Sequence, residues 1–391
     1  MTEAVIVGAV RTAIGTSFKG SLTETLPEEL ARVVVSESLA RSGLAPDLVD
    51  DVVLAEALYG GADVARHAAL EAGLGHVPGA AVNRHCAGSL TSVQIAAGSI
   101  RAGMDRAVIA GGVHSYSLNP QMRQRVPGTV DEWSEGWMTP SHVETPDAPS
   151  RDMSITVGWN TAVEAGLTRQ DQDEWALRSH ERAVAAIDAG RLVEEIVPVR
   201  ALQRDGSWID FAVDEHPRRG TSMERLAALK PVHPEIEGFS VTAGNASGLN
   251  DAAAALTLAA DHLASAEGLE VLGTVRAWAN IGVDPSRNGM AVIPCVERLL
   301  QRAGRRVEDI ALWEINEAFA SVPVATVRAL GLDEELVNTS GSGCSLGHPI
   351  AASGARMLTT MIYELRRRGG GLGVAAMCAA GGMAGGLLIE V

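Results

Sequence analysis

Lysine is almost missing: Lys19 and Lys230 are the only lysines among 32 basic residues. Acidic residues number 48, leaving a formal charge of −16. That balance opposes sequence-independent binding of nucleic acid and docking on anionic membranes. It leaves room for an anionic ligand, because a local basic pocket can override net charge. Aromatic residues are only 4% of the chain, against 42 glycines, so tight turns and close backbone packing should shape the core. Cysteine is confined to Cys86, Cys295, Cys344 and Cys378. Four in 391 residues make no disulfide framework, and no CxxC pair suggests a structural zinc site. The compartment is read as reducing, and the protein as cytoplasmic. No basic segment precedes the first apolar run of MTEAVIVGAVRTAIG, which reads as a strand rather than a signal peptide. Only Gly369 to Ile389 is long and uncharged enough to span a bilayer. Eight of its 21 residues are glycine, so two buried strands joined by a glycine turn are expected instead.

What is present is an alternation. Val5 to Val10, Val49 to Ala55, Gly79 to Asn83 and Asp105 to Gly111 read as strands, separated by helical patterns over Leu26 to Ser42 and Ala87 to Arg101. The C-terminal third repeats the theme, with strands at Ile310 to Ile315 and Leu372 to Cys378 and a helix over Pro349 to Arg368. Such alternation implies a largely parallel sheet covered on both faces. One pattern occurs twice: a helix ending in Arg101-Ala102-Gly103 leads to IAGG, and one ending in Arg367-Arg368-Gly369 leads to CAAGG. This suggests a duplicated unit, although a Gly/Ala-rich chain produces such likeness by chance. Between the halves, about 116–240 is irregular and reads as an inserted lobe of the kind that covers an active site. It carries one long helix, Arg169 to Ala189, with Asp171, Asp173 and Glu174 in its first turn, where they suit the helix dipole.

Four residues could carry chemistry. Cys86, in AVNRHCAGSL, stands at the start of a helix, where free N–H groups and the dipole favour a thiolate. A buried inert cysteine is the competing use. His348, in SGSGCSLGHPIAASGAR, closes a glycine-rich loop, with Pro349 placed just inside a helix. A histidine fixed there could serve as base for a thiol elsewhere, or simply cap or fill the core. Cys378 ends a strand at a glycine turn. Asn316, in WEINEAFAS, follows another strand, where an amide can donate to an oxyanion or cap a helix. Two thiols and an imidazole at strand ends suit acyl-thioester chemistry.

Taken together, RTAIGTSFKGSL, VNRHCAGSL, AGGVHSYS, QDQDEWALRSHERA, VTAGNASGLNDAAAAL, INEAFA, SLGHP and MCAAGG resemble the thiolase family, in order and over essentially the whole chain. The resemblance implies an α/β fold of five layers, αβαβα, with two similar halves, 1–265 and 266–391, and a loop domain inserted in the first. It implies Cys86 as the acyl-carrying nucleophile, His348 as its base, and Cys378 as the acid–base for the acetyl methyl carbon. Asn316, through water, and His348 would form one oxyanion hole, and the N–H groups of Cys86 and Ala380 the other. Ser247, with Ala243 and Leu249, would border the pantetheine arm. Ala318, Phe319 and Met153 would line the pocket, and Arg218 or Arg219 could meet CoA phosphates. Coenzyme A and acyl-CoA are then the substrates, with no metal and no permanently bound cofactor. A homodimer or homotetramer is implied, acting in fatty acid metabolism by thiolysis of a 3-oxoacyl-CoA or by the reverse condensation.

The chain also departs from the family pattern. Gly88-Ser89 stands where Ser-Gly is usual, Cys378-Ala379-Ala380 where Cys-x-Gly is usual, and His114 where an acidic residue is usual. Asp152-Met153 replaces His-Met, and Cys344 enters the loop before His348. A Cβ at Ala380 is expected to constrain the second oxyanion hole, which keeps alive a thiolase-like acyl-CoA or lipid-binding protein with little catalysis. Asp152 suggests a polar or bulky acyl group. A decarboxylating condensing enzyme is disfavoured by Cys378.

Overall fold

The computed structural model describes residues 2–59 and 62–391. The expected elements form, with small shifts at their ends. β1 (Ala4–Thr12) is buried along its whole length, as a strand covered on both faces must be. Then come α1 (Pro27–Ser42), β2 (Asp51–Ala55), α2 (Val64–Glu71), β3 (Gly79–Val82), α3 (Gly88–Ala102) and β4 (Ala107–His114). α1 begins on its proline and stops at Gly43, which adopts φ 69°, a left-handed cap that favours glycine. After α4 (Arg169–Asp188) follow β5 (Asn250–Ala260), β6 (Gly273–Gly282), α5 (Val292–Ala303), β7 (Leu312–Ile315), α6 (Ser321–Leu330), α7 (Ser353–Arg367), β8 (Leu372–Ala379) and β9 (Met383–Glu390). Glycine-rich 369–389 is thus two antiparallel strands around a turn. No helix among the described residues is long and apolar enough to cross a membrane.

The strand order is β7-β8-β9-β6-β1-β5-β4-β2-β3. The path repeats about the antiparallel β1–β6 pair. On one side β2 runs parallel to β4, and β5 is antiparallel to both β4 and β1. On the other, β7 runs parallel to β8, and β9 is antiparallel to both β8 and β6. Even β3 has an echo, a parallel bridge from Trp313 to Val337. The layers are αβαβα: α3 and α7 pack on each other and on strands of both half-sheets, while α1 covers one outer face and α5 the other. The short motif likeness around IAGG and CAAGG therefore marks β4 and β8, which occupy equivalent places.

Between β4 and β5 the chain leaves this path, touching the sheet again where Ile196–Val197 pairs in parallel with the end of β1, and buried polar ties hold it down. Arg11 of β1 donates from Nε to Glu195 at 2.6 Å and from both terminal nitrogens to Asp214 at 2.7 and 2.8 Å, all fully enclosed. Arg11→Met should cost about 3–5 kcal/mol, because it strands two buried carboxylates. Thermal unfolding should show a much lower midpoint, and Arg11→Lys should not restore it, since an ammonium cannot reproduce the planar fork.

α4 is capped by Thr168, whose hydroxyl accepts from the Asp171 N–H while the Asp171 carboxylate accepts from the Thr168 N–H. Asp173 does other work than the helix dipole. It is buried, pairs with Arg169 at 2.7 Å and accepts from Asn245 Nδ2 at 2.8 Å. The helix thereby anchors the loop that carries Ser247.

Candidate active site

Cys86 follows β3 and lies two residues before α3. His85 adopts φ 45°, a left-handed conformation that costs a side-chain-bearing residue about 1–3 kcal/mol. That sharp turn sets the sulfur at the mouth of the helix. Gly88 is required by space: a Cβ there would sit 2.8 Å from that of Ala55. Ser89 Oγ accepts from the Ala355 N–H at 3.0 Å, so the Gly88-Ser89 order locks α3 to α7. Burial pushes the Cys86 thiol up to about 11, against the opposing pull of the N–H groups of Ala380 and Cys86 itself. Burial therefore works against the thiolate that the helix terminus and these N–H groups favour.

Those same two N–H groups are the donors anticipated for one oxyanion hole. The constraint expected from Ala380 is absent. Ala380 is not among the residues with positive φ, and the turn's left-handed positions fall on Gly381 and Gly382, at 86° and 74°. Cys378, 2% exposed, has its thiol raised by burial and then by the neighbouring Cys86 sulfur. The two sulfurs are thus electrostatic neighbours.

His348 lies in a turn rather than at a helix start: α7 begins at Ser353, and the Ala352 and Ser353 N–H groups donate to the Pro349 carbonyl. Gly347, at φ 109°, makes the approach possible, since a Cβ there would strike the Asn250 side chain, whose oxygen accepts from the His348 N–H at 3.0 Å. Ser353 fixes the ring. Its hydroxyl donates to the Pro349 carbonyl at 3.0 Å and contacts His348 Nδ1 at 2.6 Å. With its proton on that carbonyl the hydroxyl accepts from Nδ1, the tautomer that leaves the Nε2 lone pair bare. Nε2 is buried and unpartnered. Burial, then Arg356, pushes His348 down to about 3, so burial favours the neutral imidazole as it favours the neutral thiol. Both polar atoms of the Asn316 side chain are likewise buried without a partner, while the Asn316 N–H is held by the Ala376 carbonyl on β8 at 3.0 Å.

Alkylation of Cys86 by iodoacetamide should therefore accelerate about tenfold per pH unit from neutrality to about pH 10, without a neutral plateau. A plateau near neutrality would instead reveal a Cys86–His348 ion pair.

A cavity of about 370 Å³ collects the remaining expected residues: Ala243, Ser247, Leu249 and Arg218, together with Thr16 to Lys19 and His216. Arg219 is not part of it, being paired with Asp188 at 2.6 and 2.8 Å. The Ser247 N–H donates to the Ala318 carbonyl at 3.0 Å, and Phe319 bridges Ala246. Phe319 and Met153 pack against the same apolar cluster as Cys378. Lys19 and His216 were not anticipated. Lys19 lies inside the quoted SFKGSL motif as one of only two lysines, a usable signal; His216 gave none.

Comparison with known proteins gives matching descriptions over both halves. Residues 4–262 match the family model described as the thiolase N-terminal domain and 269–391 that of the thiolase C-terminal domain. The chain belongs to the thiolase family. It is 39% identical to an acetyl-CoA acetyltransferase of Cupriavidus necator, covering 100% of both chains, and 40% identical to one of Pseudomonas aeruginosa, covering 98% of each. The crystal structure of the Bacillus anthracis acetyl-CoA acetyltransferase superposes with a TM-score of 0.91 at 38% identity, over 100% of this chain and 99% of that one.

Two departures of this thiolase acquire structural reasons. Asp152 is occupied: Oδ1 accepts from the Ser154 N–H and hydroxyl, and Oδ2 meets His233 Nε2 at 2.8 Å. It does not offer a free carboxylate to an acyl group. Cys344 is buried, its thiol facing the carbonyls of Asn245 and Glu317 at 3.7 Å, and burial raises it. It is packing between loops. Glu317 serves the same frame, accepting from Trp175, Ser179, Asn338 and the Cys344 N–H.

Proposed function

We propose that this thiolase is an acyl-CoA:acetyl-CoA C-acyltransferase working through an acyl thioester on Cys86. The carrying observation is that Cys86, beside two N–H donors, neighbours Cys378, while His348 Nε2, in the turn before α7, and the Asn316 side chain, at the end of β7 beside β8, are buried and unpartnered. Cys86 sulfur attacks the 3-oxo carbon of a 3-oxoacyl-CoA while its proton passes to His348 Nε2. The resulting alkoxide is met by the N–H groups of Cys86 and Ala380. The bond between C2 and C3 breaks, and its electron pair leaves as the enolate of acetyl-CoA. Protonated His348 and Asn316, through water, stabilise the enolate oxygen, and the Cys378 thiol protonates C2. Acetyl-CoA departs. A second CoA gives its thiol proton to the Cys378 thiolate and attacks the acyl group. The Cys86 thiolate leaves and recovers its proton from His348. Two oxyanion sites serve two different charge positions, so binding is spent on transition states.

The neutral resting pair fits this scheme. Burial pushes the His348 imidazole down and the Cys86 thiol up, so both charged forms are disfavoured. A proton transfer that accompanies carbon–sulfur bond formation avoids that buried ion pair. We assign the CoA phosphates to the mouth of the 370 Å³ cavity, where Lys19 and Arg218 supply positive charge in an otherwise acidic protein. The binding-protein alternative rested on Ala380, whose backbone conformation is ordinary. Thiolysis of acetoacetyl-CoA by free CoA, followed by loss of the enolate absorbance, tests the reading. Turnover with a trappable acyl-enzyme supports it, and absence of both on any 3-oxoacyl-CoA rejects it.

A further inference from the structure

His114 ends β4 in the place where the family pattern carries an acid. It is 0% exposed, and neither ring nitrogen has a hydrogen-bond partner. Among the described residues only His114 and Asn316 leave two side-chain polar atoms buried and unpaired. Such atoms are costly unless something outside the protein's own bonds satisfies them. Asn316 belongs to the oxyanion machinery already argued; His114 has no role there.

Its surroundings locate it at the reacting groups. The strand end is pressed against the turn bearing His348, since a Cβ on Gly112 would lie 2.0 Å from the Ala351 carbonyl. Tyr116 stands edge-on to the imidazole, with ring centres 4.5 Å apart and planes at 82°, and Tyr59 lies on another side at 6.4 Å. Two of the chain's three tyrosines therefore gather here. The backbone is rigid: Asp251 accepts from the Tyr116 N–H at 2.8 Å, and the Tyr59 hydroxyl is tied to the Ser115 backbone. Tyr116 is half-buried, whereas His114 is enclosed.

We propose that Tyr116 and His114 form a polar acyl-recognition pair, which fits this chain to 3-oxoacyl-CoA thioesters bearing a second, neutral oxygen on the acyl chain. An oxygen reaching the pair hydrogen-bonds the Tyr116 hydroxyl and, as the phenol ring tilts, the imidazole behind it. A hydroxyl group suits best, because it can donate to one nitrogen tautomer or accept from the other. A carboxylate would find no opposite charge in the pair. Burial, and then His348, hold His114 neutral by lowering it to about 3, and burial, reinforced by the Cys86 sulfur, keeps Tyr116 a phenol. The Cys86 sulfur acts on the Tyr116 phenol and His348 on the His114 ring, so each member of the pair is within electrostatic reach of one group that the proposed reaction uses. This inference rests on the acyltransferase reading and adds the substrate class to it.

The test compares 5-hydroxy-3-oxohexanoyl-CoA with 3-oxohexanoyl-CoA, equal in length and differing by one hydroxyl. The native protein should favour the hydroxylated substrate by about tenfold or more in kcat/KM, since a site built around a hydrogen bond discriminates strongly against its loss. His114→Phe and Tyr116→Phe should each draw that ratio toward one, and His114→Asn should retain part of it. Equal ratios in the native protein, or an unchanged preference in both Phe variants, would overturn the pair. Binding of non-reactive thioether analogues, with and without the hydroxyl, to the Cys86→Ala protein gives a second reading free of turnover. A tenfold tighter Kd for the hydroxylated analogue that disappears with His114→Phe upholds the pair even if no thiolysis is found. Equal Kd values reject it whatever the reaction proves to be.

Discussion

Cys86→Ala should lower acetoacetyl-CoA thiolysis by at least about 10⁴-fold, with no acyl adduct on the intact protein. The expected size follows from the proposed chemistry: there both half-reactions pass through the thioester, and removing such a nucleophile leaves only the stabilisation due to binding and oxyanion donors. No neighbour can take over. Cys378 is 2% exposed, with its thiol raised by burial and by the Cys86 sulfur. Ser89 already uses its oxygen to accept from the Ala355 N–H. The fold should survive, because alanine keeps the backbone that offers N–H groups toward the acyl oxygen. An unchanged far-UV circular dichroism spectrum with lost activity separates chemistry from unfolding. Retained turnover would place the acyl group on another atom.

Much of the architecture was legible because the signals are local. Val5 to Val10 and Leu372 to Cys378 announce buried strands by unbroken apolar character, and Pro27 with Gly43 marks both ends of α1. The proposed nucleophile and base stand out as residues, each embedded in a distinctive turn. Their state does not. The rise of the Cys86 thiol comes from neighbours scattered along the chain, which no window of sequence contains. The helix-start position of His348 was misjudged because Pro349 signals a first turn, whereas Gly347 and the Asn250 side chain draw out the segment before α7. Ser353 was missed as the residue orienting the imidazole, since its reach back to His348 depends on that turn. Ala380 and Asp152 show that tertiary context decides what a departure from a family pattern does: Ala380 avoids the positive φ of Gly381 and Gly382, and the Asp152 carboxylate is held by Ser154 and His233. Lys19 and Arg218 become meaningful only when the fold brings the Thr16 to Lys19 loop to the Ala243 to Leu249 loop.

His348→Gln should cost about 10³–10⁴-fold in kcat, the next largest loss. The range reflects two functions removed together, proton transfer and donation to a developing oxyanion, each worth about 10²-fold or more and not additive when they share one atom. Nε2 is that atom, buried without a partner, while the Ser353 hydroxyl contacts Nδ1. Glutamine can offer an N–H in this space but cannot accept and return a proton, so it should retain more of the enolate step than alanine does. Ser353→Ala tests the same geometry from outside the reacting atoms. It removes the acceptor that selects the tautomer, so kcat should fall by less than in His348→Gln, with little change in KM. Iodoacetamide labelling of Cys86 supplies the control. The resting thiol is already neutral, so its alkylation rate should barely respond to His348→Gln even as turnover collapses. If labelling slowed in parallel with turnover, His348 would be activating the thiol before substrate binds, contrary to a proton transfer that waits for the carbon–sulfur bond.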